Sequence, residues 1–382
     1  MCQCVSASLR FRESQVWLKG MYRARLHKYD LSIQHPLSLA EVQDDNMDES
    51  GSSSQGKRDA SSSSPSDAIV RARSLFANSV DAKTIVAEFH YYHNNFAKCH
   101  ELTQAILEAD SHAHACLAYH LSSLVELKSS RELFIDAHRL VDSFPDTAEA
   151  WYAVGCYYYL CNKFEKARIN FLKATSLNPY FAPAWLGYGH TFAAQDESDQ
   201  ALAAYRTASR FFSGCHLPPL CIGMEYAKTG NLQVSDQFLT HTLSICALDP
   251  LVFNEIGVLR YLQGNYEEAA EAFEKVMDLS QAHLVSQTVS ETVEASLFNL
   301  GHCYRKLQRL NEAVEMYSRA LRCKPNKAST YTAMAFTYHL LGNFDAAINY
   351  YHKALGICPE DTLTTEMLER ALKHAAENSS LA

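Results

Sequence analysis

The chain has 382 residues, 47% of them apolar and 20% charged, and a formal net charge of −9. The acidity is mild and both signs are interspersed, so the basic stripe that recruits nucleic acid is missing. No apolar run reaches the roughly eighteen residues of a membrane-spanning helix, and Met1 to Leu9 lacks the charged end and apolar core of a secretory signal. Neither a nucleic-acid nor a membrane partner is expected.

The first 40 residues are basic and carry Trp17, Leu18, Met21 and Tyr22, which suit a short amphipathic helix. Arg10, Arg12, Arg23 and Arg25 with few acids also resemble a mitochondrial transit peptide; the plainer reading is a frayed end or the remnant of a longer array. Residues 41–67 change character to an acidic patch followed by Ser52 to Ser54 and Ser61 to Ser64. Too few apolar groups are present there to offset the entropy of ordering, so a disordered linker is expected. Ser64-Pro65 is a candidate for proline-directed phosphorylation.

From residue 80 to 361 the chain repeats itself. In the clearest unit, starting at Ala148, Trp151, Gly155, Tyr158, Ala167, Phe171 and Ala174 precede Pro179. That is the spacing of a tetratricopeptide repeat, a helix-turn-helix unit of about 34 residues. Gly155 and Ala167 are small enough for the two helices to approach closely, while Trp151, Tyr158 and Phe171 fill the space between them. Asn162 to Phe164 forms the turn, and Pro179, lacking an amide hydrogen, stops the second helix. The next units hold the register: Trp185 and Gly189 from residue 182, Gly223 from residue 216, Gly257 from residue 250. The register then slips, and a unit from Glu294 supplies Gly301, Tyr304 and Ala313; a last one from Ala328 supplies Tyr338 and Ala347. Two degenerate units start near residues 80 and 114. The fold class is therefore all-α, a right-handed superhelical solenoid of tetratricopeptide repeats. Residues 362–376 form an amphipathic capping helix, with Leu363, Met367, Leu368 and Leu372 as its apolar face and Asp361 or Thr362 as its cap.

Little in the chain promises chemistry. His90, His93, Cys99, His100, His112, His114, Cys116 and His120 crowd the early repeats, but no pair has finger spacing, and His90 stands where other units place Tyr or Phe. They read as packing residues, and no metal or other cofactor is expected. Cys215-His216 resembles a nucleophile and base without an orienting acid, and Pro218-Pro219 makes it a turn between repeats. The twelve cysteines lack paired spacing and sit beside aromatics, as reduced thiols do in a nuclear or cytosolic protein. A non-catalytic chain is expected.

In such an array the first helix of each hairpin lines the concave side. The positions expected to face that groove are Tyr152, Cys156, Tyr159, Leu186, His190, Leu220, Met224, Asn254, Val258, Tyr261, Phe298, His302, Arg305, Phe336 and His339. Tyr159 and Tyr261 read equally well as packing between repeats. The groove is apolar and aromatic, and the fifth position of each unit is never basic, unlike arrays whose Lys, Arg and Asn clamp a peptide carboxylate. It suits an extended or helical peptide held by apolar side chains, with His190, His302 and Arg305 making polar contacts.

The strings Trp151 to Tyr158, Ala184 to His190, Gly214 to Pro218 and Asn299 to Lys306, with the slip before Glu294, resemble the cell division cycle protein sixteen type subunit of the anaphase-promoting complex. The resemblance covers about Val80 to Leu372. It implies a scaffold subunit of a multi-subunit ubiquitin ligase acting in mitosis, in nucleus and cytoplasm and at the spindle. It also implies that the groove holds the N-terminal segment of a very small companion, the cell division cycle twenty-six type subunit, among other subunits of the complex. Family members carry further N-terminal repeats that form a homodimer; only residues 1–67 precede here and do not scan as repeats, so an N-terminally short member without that dimer is expected, a truncated isoform or an incomplete gene model. A second class fits the same repeats: a co-chaperone or trafficking adaptor binding other peptides.

Overall fold

The computed structural model describes residues 79–282 and 287–381. The expected basic segment, residues 1–40, and Ser-rich linker, residues 41–67, lie outside them. Among the described residues are seventeen α-helices and no strand. They fall into two compact units, divided after Ser143.

The first unit holds α1 (Val80–Tyr92), α2 (Phe96–Ala109), α3 (His114–Glu126) and α4 (Ser130–Ser143). Its core contains Ile85, Phe89, Cys99, Ile106, Cys116, Leu117, Leu121 and Leu133. His120 and His100 are built into the packing, whereas His112, also expected to pack, is exposed. His120 Nδ1 lies 2.9 Å from Thr103 Oγ1 and its Nε2 lies 3.1 Å from Asp136 Oδ2, with the His100 ring stacked on it at 5.0 Å. Both ring nitrogens of His120 are engaged, which leaves it no lone pair for a metal.

The second unit pairs α5 (Ala148–Leu160) with α6 (Phe164–Leu177), α7 (Ala182–Ala194) with α8 (Ser198–Phe211), α9 (Leu217–Lys228) with α10 (Leu232–Ile245), α11 (Pro250–Leu262) with α12 (Tyr266–Ala282), α13 (Gln287–Lys306) with α14 (Leu310–Cys323), and α15 (Ala328–Leu340) with α16 (Phe344–Ile357); α17 (Thr362–Leu381) follows. It is a tetratricopeptide-repeat solenoid. The register slip is taken up by helix: α12 has 17 residues and α13 has 20, where most helices have 13 or 14.

Three recurring contacts explain why a hairpin of this length closes. A Cβ on Gly155 would stand 2.6 Å from the Phe171 ring, and Gly189, Gly223, Gly257 and Gly301 meet Tyr205, Leu239, Phe273 and Tyr317 equally closely. The small residue of the first helix is the seat for the bulky residue of the second, and Ala167, Ala313 and Ala347 are fully buried beside them. Trp151 Nε1 donates to the Pro145 carbonyl at 2.7 Å and Trp185 Nε1 to that of Pro179 at 2.9 Å, so each half-buried indole ties its helix to the connecting loop six residues before it. Lys173 covers the Trp151 ring at 3.1 Å. Each turn, finally, places one residue at positive φ: Asn94, Lys128, Asn162, Asp196, Gly230, Gly264, Gln308 and Gly342.

Tyr158 and Tyr338 stay half-buried at the rim of their hairpins, Tyr158 under Lys166 and Tyr338 stacked on Tyr350 at 5.4 Å. Tyr304 is buried and its hydroxyl donates to Glu274 at 2.6 Å. Asp361 caps α17, its Oδ1 accepting from the amides of Leu363 and Thr364. The buried face of that helix is Thr364, Leu368 and Ala371, with Met367 half-buried. Leu363 and Leu372, expected on that face, are exposed because their positions turn away from α16. The helix also runs past the expected end at residue 376.

Candidate peptide-binding face

The candidate face is built from the first helices of the second unit, α5, α7, α9, α11, α13 and α15. Each presents one side to its own second helix and another to the neighbouring repeats. Four residues expected to face the groove instead belong to the interior. Leu220 is 1% exposed and packs among Leu239, Val252 and Leu259. Tyr152 is buried against Phe171 and Phe181, with ring centroids 5.7 and 5.4 Å away. Cys156 is 4% exposed, and burial pushes its thiol up to about 12. Asn254 is buried with both ends of its amide engaged: Oδ1 accepts from Ser296 at 2.8 Å and Nδ2 donates to Glu255 at 2.9 Å. In each case the neighbouring helices cover the side chain.

The other predicted positions, Leu186, His190, Met224, Val258, Phe298, His302, Arg305, Phe336 and His339, are half-buried, as are Tyr159 and Tyr261. They come together in two clusters. In the first, His190 Nδ1 lies 2.8 Å from Tyr205 Oη and the His190 ring 6.5 Å from that of Tyr159. Burial pushes His190 down to about 4 and the Tyr205 hydroxyl upward. Burial thus favours the neutral imidazole, whose Nδ1 shares a hydrogen bond with the Tyr205 phenol. In the second, His302 Nδ1 meets Tyr317 Oη at 3.0 Å, Phe298 stands edge-on to His302 at 4.4 Å, and the Arg305 guanidinium lies 5.0 Å from the Phe336 ring centre. Burial, then Arg305 and Lys306, push His302 down to about 4. His339 is drawn aside, its Nε2 2.9 Å from His374 Nδ1 on α17. Met224 packs against the Leu220 cluster.

One residue on this face escaped the positional reading. Glu225 is buried, and its Oε2 has no hydrogen-bond partner among the described residues. Burial also raises the pKa of Glu255 on the next first helix. Two acidic residues among apolar neighbours were visible in the sequence, but their burial depends on how α9 and α11 pack.

Aromatic rings, two oriented imidazoles and one guanidinium form a surface that can bind a polypeptide. They include no nucleophile poised beside a base. Among the described residues no cluster suits a metal ion, and no helix is long and apolar enough to cross a membrane.

Tetratricopeptide-repeat family profiles match residues 148–181, 248–326 and 292–360. "Anaphase-promoting complex subunit 6" of Arabidopsis thaliana is 42% identical over 372 residues, 97% of this chain and 64% of that protein. The chain is homologous to the subunit 6 proteins of the anaphase-promoting complex. The human "Cell division cycle protein 16 homolog" is 40% identical over 295 residues, 77% of this chain and 47% of that one. A crystal structure of the anaphase-promoting-complex hetero-tetramer Cut9–Hcn1 superposes with a TM-score of 0.81 at 29% identity, covering 97% of this chain and 66% of the matched one. The chain thus spans about half to two thirds of the length of these relatives.

Proposed function

We propose that the chain is a non-catalytic scaffold subunit of the anaphase-promoting complex, a ubiquitin ligase of mitotic progression and cell-cycle exit working in nucleus and cytoplasm. Its first-helix face in the second unit holds the N-terminal segment of a small companion of the cell division cycle twenty-six type. The observation that carries this reading is the 42% identity to a subunit 6 protein along 97% of the chain. The chemistry of the face supports it. Phe298, Val258, Leu186 and Met224 offer apolar contacts, and His190 and His302 direct polar nitrogens among them.

Affinity purification of the chain followed by mass spectrometry tests the assignment. Other subunits of the complex are expected to co-purify; recovery of heat-shock chaperones alone would instead support the adaptor reading. Met224→Glu with Phe298→Glu is expected to abolish companion binding while the far-ultraviolet circular dichroism is kept. Loss of the helical signal would place both residues in the core and remove them from the binding face.

A further inference from the structure

We propose that Arg305 is a carboxylate-reading position: the bound segment carries an Asp or Glu side chain that ion-pairs with it. This rests on the peptide-binding reading of the first-helix face and adds to it a defined chemistry at one point of the segment.

Three arginines of the second unit have carboxylate partners; Arg305 shares the lack of one with the exposed Arg206, Arg210, Arg322 and Arg370 and with the half-buried Arg319, which bonds Met316 Sδ instead. Arg168 pairs with Glu165 at 3.0 Å, Arg260 with Asp236 at 2.9 Å and Arg309 with Glu312. Arg305 makes no ion pair with a carboxylate among the described residues. It is nevertheless half-buried, with its guanidinium over the face of Phe336. Burial raises the hydroxyl pKa values of Tyr261, Tyr317 and Tyr351, and in each the positive charge of Arg305 opposes the rise. The guanidinium lies over Phe336 of α15, and its charge is felt at the hydroxyls of Tyr261 on α11, Tyr317 on α14 and Tyr351 on α16. The charged neighbours that act on His302 here are Arg305 itself and Lys306, both positive.

A cation held in such a place loses part of its hydration without a counter-ion. The contact with the Phe336 ring occupies one side of the guanidinium, and its N–H groups suit a planar, bidentate acceptor. A carboxylate side chain meets that demand. A second cation would be repelled, and an apolar side chain would leave the donors unmatched.

The test uses the full chain and synthetic peptides of the companion's N-terminal segment, measured by isothermal titration calorimetry. The peptides carry each Asp and Glu replaced singly by Asn or Gln. Arg305→Met is expected to weaken binding roughly ten- to hundredfold. One acidic replacement is expected to cause a similar loss, with little further loss when the two are combined. Arg305→Lys should retain part of the affinity. Unchanged affinity in Arg305→Met, or losses that add for every acidic replacement, would overturn the carboxylate site. If Met224→Glu with Phe298→Glu still abolishes binding in that case, the face reading stands without it. If that double variant also binds normally, both fall.

Discussion

Tyr205 Oη lies 2.8 Å from His190 Nδ1, and the same bond recurs at 3.0 Å between Tyr317 and His302. In the last hairpin the equivalent first-helix position holds Phe336, and the fully buried Tyr351 hydroxyl has no hydrogen-bond partner among the described residues. Removing the three hydroxyls should therefore have unequal effects. Tyr205→Phe and Tyr317→Phe each break a bond and should cost about 1 kcal/mol, whereas Tyr351→Phe removes an unsatisfied group and should be neutral or stabilising. Urea midpoints followed by circular dichroism give the order, and an equal loss in all three would refute it.

The same two histidines make stability depend on pH. Burial depresses each from 6.5 to about 4 in the folded chain, so between these values the unfolded chain binds more protons. Stability should be full above about pH 6.5, fall as the pH drops toward 4, and level off below. A variant carrying His190→Phe and His302→Phe should show a shallower decline over that window, read from thermal midpoints across a pH series. An unchanged slope would assign the decline to other groups.

Two glycines in helices should respond in opposite senses to alanine. At Gly155 the new Cβ would stand 2.6 Å from Phe171, so the hairpin must open, at about 1 to 3 kcal/mol. At Gly356 in α16 nothing lies within 4 Å, and alanine should stabilise by up to about 1 kcal/mol through helix propensity. Differential scanning calorimetry of both variants measures the contrast.

Gln308 turns between α13 and α14 at φ 62°, a conformation that Gly264 and Gly342 adopt in the flanking turns without strain. Gln308→Gly should relieve about 1 kcal/mol of that strain, partly offset by the added freedom of the unfolded chain. A small rise in the thermal midpoint is expected. A fall would mean that the Gln308 side chain makes a contact worth more than the strain.

Much of the hairpin architecture was legible because it is local. Gly155 and Phe171 lie within one repeat, and a period shared by many units makes that pairing visible in the letters alone. The turn conformation was less legible, since Asn162, Asp196 and Gln308 share no residue type although each adopts positive φ. The candidate face was read only in part. Helical spacing put Leu220, Tyr152, Cys156 and Asn254 on the same stripe as His190 and Phe298, and the structure covers the first four.

The order of residues by itself determined the fold class and the small-against-bulky pairing inside each hairpin, because both depend on contacts between residues close in sequence. Only the tertiary structure decided which stripe residues remain accessible, that burial depresses His190 and His302, and that Arg305 has no counter-ion among the described residues. Burial and charge pairing are set by side chains that neighbouring repeats contribute. Val252 and Leu259 close over Leu220 from the next hairpin, and Phe336 on α15 lies beneath the guanidinium of Arg305 on α13.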